Sequence, residues 1–139
     1  MAEFVQQGRG RWLKIVTPGI VSAIPIKDTT DVVAFESDSV QWDTGSMVTC
    51  ISERLVTELQ LRKTGITTIS GIENKPRRAN TYLVNLEFPN GVGVRYVEVV
   101  EAPMPLVDIL VGMDVISECD FHYSIAEGKS CIRISTFPF

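Results

Sequence analysis

Val40-Gln41-Trp42-Asp43-Thr44-Gly45-Ser46-Met47 sets one carboxylate between an apolar run and a Thr-Gly-Ser turn. Partial burial of an ionised carboxylate costs free energy unless hydrogen bonds or a counter-charge offset it. Val40 and Trp42 read as strand residues, and Gly45 lets the backbone turn sharply and present its amides. The amides of Gly45 and Ser46 are then placed to bond the Asp43 carboxylate, which would favour its charged form and fix its direction. Thr44 adds a hydroxyl for a buried bond that stiffens the turn. Asp43 is therefore the candidate catalytic group, with Thr44 and Gly45 supporting it. The simpler alternative is an Asx-type turn in which Asp43 satisfies only its own loop.

Downstream of this turn lies the clearest helix signal. Ser52 is placed to cap it, Glu53 favours its first turn, and Leu55, Val56 and Leu59 share one face. Arg62, Lys63 and Gly65 predict its end near Leu61. Elsewhere the pattern is that of strands. One is expected over Gly19–Ile26, with Pro25 at an edge or bulge. Two short ones are expected at Val32–Phe35 and Ser39–Trp42, on either side of Glu36-Ser37-Asp38. Further strands are expected at Ile66–Ser70, Thr81–Phe88 and Val92–Glu101, with Pro89-Asn90-Gly91 as the hairpin turn between the last two. Asp108–Gly112 is a short apolar run, as in a strand buried on both faces. Met113–Cys119 suits a short helix, and Phe121–Ile125 and Cys131–Ser135 are expected to pair across Glu127-Gly128-Lys129. Residues 1–18 are polar and Gly-containing around one apolar patch, WLKIV, and read as an N-terminal arm that is ordered only if something docks it. Residues 19–139 form the single domain.

With 139 residues, 45% of them hydrophobic and 22% charged, the chain has the composition of one folded domain. Seventeen acidic against thirteen basic residues leave a net charge of −4, which argues against nucleic acid as a partner. Cys50, Cys119 and Cys131 have neither the number nor the spacing of a disulfide framework or zinc knuckle. The start MAEFVQQGRGRW lacks a signal-peptide layout, and no apolar run reaches the roughly 18 residues of a membrane span. These features predict a soluble, cytoplasmic protein with no membrane partner.

Three short segments occur in a telling order: VQWDTGS, then Ile69-Ser70-Gly71-Ile72-Glu73-Asn74, then Ile109-Leu110-Val111-Gly112-Met113-Asp114-Val115-Ile116. This set resembles the retropepsin-like aspartic proteases, the family of the retroviral proteases and their cellular and bacterial relatives. There an apolar strand ends in Asp-Thr-Gly-Ala/Ser, a flap hairpin follows, and a later hydrophobic-hydrophobic-Gly motif leads into a short helix. The likeness runs from about Gly19 to Phe121. It implies a mainly β fold: a closed, orthogonal β-barrel with a flap hairpin, one helix after the active-site turn and one short helix near the C-terminus. It implies an aspartic endopeptidase without metal or cofactor, acting on a peptide or protein substrate. Since one chain holds one Asp-Thr-Gly, it also implies a homodimer with Asp43 from each copy on the twofold axis. Gly45, Ser46, Gly71, Ile72 and Glu73 become candidate substrate-binding residues, Ile72 covering the substrate from the flap.

The sequence departs from the retroviral pattern in several places. Ser46 stands where Ala is common, and a hydroxyl there is expected to bond the carboxylate and favour acidic pH. Glu73 and Asn74 replace flap glycines, Met47-Val48-Thr49 replace acidic residues after the turn, and Met113 replaces Arg. Asp114 reads as a helix cap, His122 as a sheet residue, Cys50 as a structural thiol, and Lys75-Pro76-Arg77-Arg78 as a solvated turn. Terminal strands, Cys131–Ser135 and the N-terminal arm, are the candidates for the dimer interface. The competing function is a non-catalytic dimerisation or peptide-binding module that keeps the same fold.

Overall fold

Alternating apolar and polar side chains organise most of the chain into strands, because period-two patterning puts one face of each strand in a core. The computed structural model describes residues 1–25, 32–70 and 75–139. In chain order the elements are β1 (Ala2–Arg9), β2 (Ile15–Ala23), β3 (Ala34–Trp42), β4 (Cys50–Ser52), α1 (Glu53–Glu58), β5 (Gly65–Ser70), β6 (Pro76–Glu87), β7 (Gly93–Ala102), β8 (Ile109–Val111), α2 (Met113–Ile116), β9 (Asp120–Ala126) and β10 (Lys129–Thr136).

Six strands close into a barrel in the order β2-β3-β8-β4-β7-β6, and β6 pairs back onto β2 from Ile20↔Glu87 to Ala23↔Val84. The expected mainly β barrel with two short helices is thus observed. The apolar run at 109–111 forms the inserted strand β8, parallel to β3 and antiparallel to β4, with Ile109 and Val111 fully buried. Val21, Val40, Ile51, Leu55, Val84, Leu86 and Val99 complete the barrel core. Each such side chain contributes about 1.5–3 kcal/mol when taken out of water. Strand β5 extends the sheet beyond β6, from Gly65↔Thr81 to Ser70↔Pro76, and these two strands are the arms of the expected flap hairpin. Its tip, with Gly71, Ile72, Glu73 and Asn74, lies outside the described residues.

Several local expectations are corrected. The two short strands around Glu36-Ser37-Asp38 are one strand, β3, because Ser37 turns inward and donates to Asp108 Oδ2 at 2.6 Å. A satisfied hydroxyl is tolerated where an unpaired one would break the strand. Strand β2 begins at Ile15 and ends at Ala23, and its irregularity lies between Thr17 and Gly19, at Pro18 rather than Pro25. Helix α1 starts on Ser52, whose hydroxyl accepts from the Leu55 amide at 3.1 Å, but it stops at Glu58. Gln60 ends it early by adopting a positive φ of 51°, the left-handed conformation a glycine usually supplies there. The 89–91 turn forms as expected, with Asn90 at φ 64° and Gly91 at φ 77°.

The segment expected as an arm holds β1 and the first residues of β2. What docks it is the chain's own C-terminal strand: β1 pairs antiparallel with β10 over eight positions, Ala2↔Thr136 to Arg9↔Lys129. With β9 these strands form a second sheet, in the order β1-β10-β9. Phe139 folds back on the barrel, its amide donating to the Gly91 carbonyl at 2.8 Å and its ring lying 4.0 Å from the Arg95 guanidinium carbon. No helix among the described residues is long and apolar enough to cross a membrane.

Candidate active site

Strand β3 delivers Asp43 to one end of the barrel. Trp42, just before it, is buried, donates from Nε1 to Thr17 Oγ1 at 2.9 Å, and stacks against Phe88 and Phe121 with ring centroids 4.9 and 5.6 Å away. The parallel ladder of β3 and β8 ends at Trp42↔Val111, and the Asp43 amide adds one further bond to the Val111 carbonyl at 2.9 Å. The main chain of Asp43 is therefore held by the barrel while its side chain projects from the rim.

The turn that follows orients the carboxylate. The Gly45 amide donates to Asp43 Oδ1 at 2.8 Å, as the sequence led us to expect. The Ser46 amide does not reach the carboxylate; it donates to the Asp43 main-chain carbonyl at 3.2 Å. The Ser46 hydroxyl gives its single hydrogen to the Val48 carbonyl at 2.7 Å, so the expected bond from this hydroxyl to Asp43 is not made. Thr44 is exposed in the single chain rather than engaged in a buried bond.

The turn is locked from below by the 112–116 segment. The Met113 amide donates to the Ser46 carbonyl at 2.7 Å. Thr49 is fully buried; its hydroxyl donates to Asp114 Oδ1 at 2.7 Å and accepts from the Gly112 amide at 3.1 Å, and its amide donates to Asp114 Oδ2 at 3.0 Å. Asp114 also accepts from the Val115 amide at 2.9 Å. The position preceding the helix is Gly112, so Asp114 is less a cap than a brace between the two crossing segments. Gly112 has no freedom to be anything larger: a Cβ there would stand 2.5 Å from the Val48 carbonyl oxygen and 2.9 Å from that of Ser46.

A cleft of about 410 Å³ opens beside Asp43 and Thr44, walled by Trp12, Leu13, Lys14 and Tyr123. The sequence reading missed these residues as part of the site. For Trp12, Leu13 and Lys14 the one signal was the WLKIV patch, an apolar interruption in a polar arm; Tyr123 had none. Across the site, burial pushes the Cys50 thiol up from its ordinary value; the carboxylates of Asp114 and Asp43 push the same way and Arg77 opposes them. A thiol kept protonated in this way is a poor nucleophile. Residues 76–78 open strand β6 and are exposed. His122 lies on exposed β9 with Nε2 2.8 Å from Asp120 Oδ1. Further from Asp43, the buried Asp108 carboxylate bonds Ser37 and Arg54 and ties α1 to the barrel. Among the described residues, no three His, Cys, Asp or Glu side chains stand together as a metal site.

No protein-family model matches the chain, and no curated protein matches it in sequence. Among solved structures it is similar to a retropepsin-like aspartic protease from Rickettsia conorii, at 12% identity, a TM-score of 0.54 and coverage of 98% of both chains. The chain thus has the retropepsin-like fold over nearly its whole length.

Proposed function

We propose that the protein is an aspartic endopeptidase whose active site is assembled from two copies, each contributing Asp43. One observation carries this reading: the Asp43 carboxylate stands on the rim of a retropepsin-like barrel, oriented by the Gly45 amide, in a turn braced by Gly112, Thr49 and Asp114. An Asx turn that served only its own loop would have no need of a second, distant segment to hold it.

On a twofold axis the two carboxylates would lie within a few ångströms of each other, and like charges at that separation cannot both ionise readily. The pair holds one proton jointly. A water between them loses a proton to the ionised partner as its oxygen attacks the scissile carbonyl carbon. The protonated partner donates a hydrogen bond to the carbonyl oxygen as negative charge develops there. The tetrahedral intermediate then releases the amine, with a proton passing from a carboxyl to the leaving nitrogen as the C–N bond breaks. The β5–β6 hairpin supplies the arms of a flap whose closure would exclude bulk water.

The test is Asp43→Asn, assayed on a denatured protein substrate at acidic pH. The variant should dimerise like the wild type and lose cleavage altogether. A wild type that binds peptides but cuts none in a broad library would establish the alternative, a binding module on the same fold.

A further inference from the structure

We infer that the two copies join edge to edge along β9, antiparallel and without exchanging termini, so that the terminal sheets merge into one of six strands. This rests on the proposed function, which needs a second Asp43 beside the first. Terminal strands of two chains could interleave only if they were free to do so. Here β1 and β10 already pair with each other through eight consecutive positions. The outer edge of β1 is engaged at Glu3, whose carbonyl accepts from Asn90 Nδ2 at 3.3 Å. The other edge of this sheet is β9, which has no strand beside it among the described residues.

Strand β9 has the features of a pairing edge. Asp120-Phe121-His122-Tyr123-Ser124-Ile125-Ala126 contains no Lys or Pro, and its register with β10 runs without a bulge. Those are the devices by which exposed edges ordinarily avoid partners. Its side chains are exposed along nearly the whole strand, including Tyr123 at 37% and Ile125 at 50%. The two-residue turn to β10 has Glu127 at φ 52° and Gly128 at φ 73°, the type I′ geometry that makes Ala126↔Lys129 a hydrogen-bonded pair. Every second residue from there bonds inward. Phe121, Tyr123 and Ile125 therefore direct their main-chain groups toward the free edge.

A twofold through Tyr123 uses the full strand. It sets Phe121 opposite the second copy's Ile125, His122 opposite its Ser124 and Asp120 opposite its Ala126, so no like charges face each other. The seam also runs beside the candidate site. Tyr123 walls the cleft that contains Asp43 and Thr44, and Phe121 packs on Trp42, the residue before Asp43.

The test combines sedimentation velocity over a range of concentrations with cleavage of a denatured substrate, for the wild type and Tyr123→Pro, Ile125→Lys and Val5→Lys. Proline at 123 removes an outward amide and no main-chain bond to β10; the 3.2 Å bond between the Tyr123 hydroxyl and Ser130 Oγ goes with the side chain, so the urea midpoint is measured beside it and the fold should persist. Two symmetry-related hydrogen bonds vanish, which should weaken dimerisation about tenfold or more. Ile125→Lys adds charge to the seam and should act in the same direction. Val5→Lys, at an exposed position of β1, should leave the dimer intact. A dimer unaffected by both β9 variants, or broken by Val5→Lys alone, overturns the β9 seam while leaving the protease reading in place. A dimer broken at β9 in a protein that never cleaves supports the seam and overturns the protease reading. A wild type that stays monomeric at all concentrations overturns both.

Discussion

Gly112→Ala isolates the crossing that holds the Asp43 turn. Gly112 has φ −96° and ψ −173°, a conformation open to any residue. Backbone freedom alone would therefore make alanine stabilising here by about 0.4–1 kcal/mol, through a less mobile unfolded chain. Sterics oppose this. The added Cβ would meet the Val48 carbonyl oxygen at 2.5 Å, the Val48 carbonyl carbon at 2.7 Å and the Ser46 carbonyl oxygen at 2.9 Å. These are main-chain atoms that no rotamer change can move aside. The two segments would have to part by the better part of an ångström, stretching the bonds from the Met113 amide to Ser46 and from the Gly112 amide to Thr49. Each is worth about 0.5–1.5 kcal/mol, and overpacking of this kind costs about 1–3 kcal/mol. The net expectation is a loss of about 2 kcal/mol. Urea unfolding should show a lower midpoint with an unchanged slope, and cleavage per folded dimer should fall as well, because the Ser46 carbonyl anchors the Asp43 turn. An alanine variant as stable as the wild type, or more stable, would refute the claim that the two backbones touch here.

Other consequences follow from the same geometry. Thr49→Val keeps the shape of a fully buried side chain but strands the Gly112 amide and removes a bond to Asp114; chemical denaturation should register a loss of about 1–3 kcal/mol. Ser46→Ala should leave the pH profile of cleavage in place, since that hydroxyl serves the Val48 carbonyl and not the carboxylate; a shift of the profile toward neutral would restore the role first expected of it. Burial pushes the Cys119 thiol from 9.0 to about 11. A folded-state value above the unfolded one means stability that is complete below about pH 9 and is lost as pH rises toward about 11. Stability curves of the wild type should fall more steeply in that window than those of Cys119→Ala, and Cys119 should react slowly with disulfide reagents at pH 8.

Local chemistry was enough for much of this molecule. Alternating side chains revealed the strands, Asn90-Gly91 revealed its turn, Ser52 revealed the start of α1, and Gly45 after Asp43 revealed an amide aimed at a carboxylate. Each depends on residues a few positions apart, where side-chain type limits the backbone directly. The ordered motifs around Asp43, Gly71 and Gly112 were likewise readable, and the barrel followed from the family resemblance they carry. Most of the missed features depend on segments distant in the chain. Ser37 reads as a strand break because its partner, Asp108, is 71 residues away. The Ser46 hydroxyl is the local exception: its acceptor, the Val48 carbonyl, is two residues away, and only the closed turn gives it that partner instead of Asp43. Residues 1–18 read as an arm because the strand that orders β1 is the last in the chain. Leu13, Lys14 and Tyr123 became walls of a cleft only when that terminal sheet packed beside β3. Short-range sterics and patterning select the elements; closing the barrel and the terminal sheet selects which polar groups find one another, and no local pattern encodes that choice.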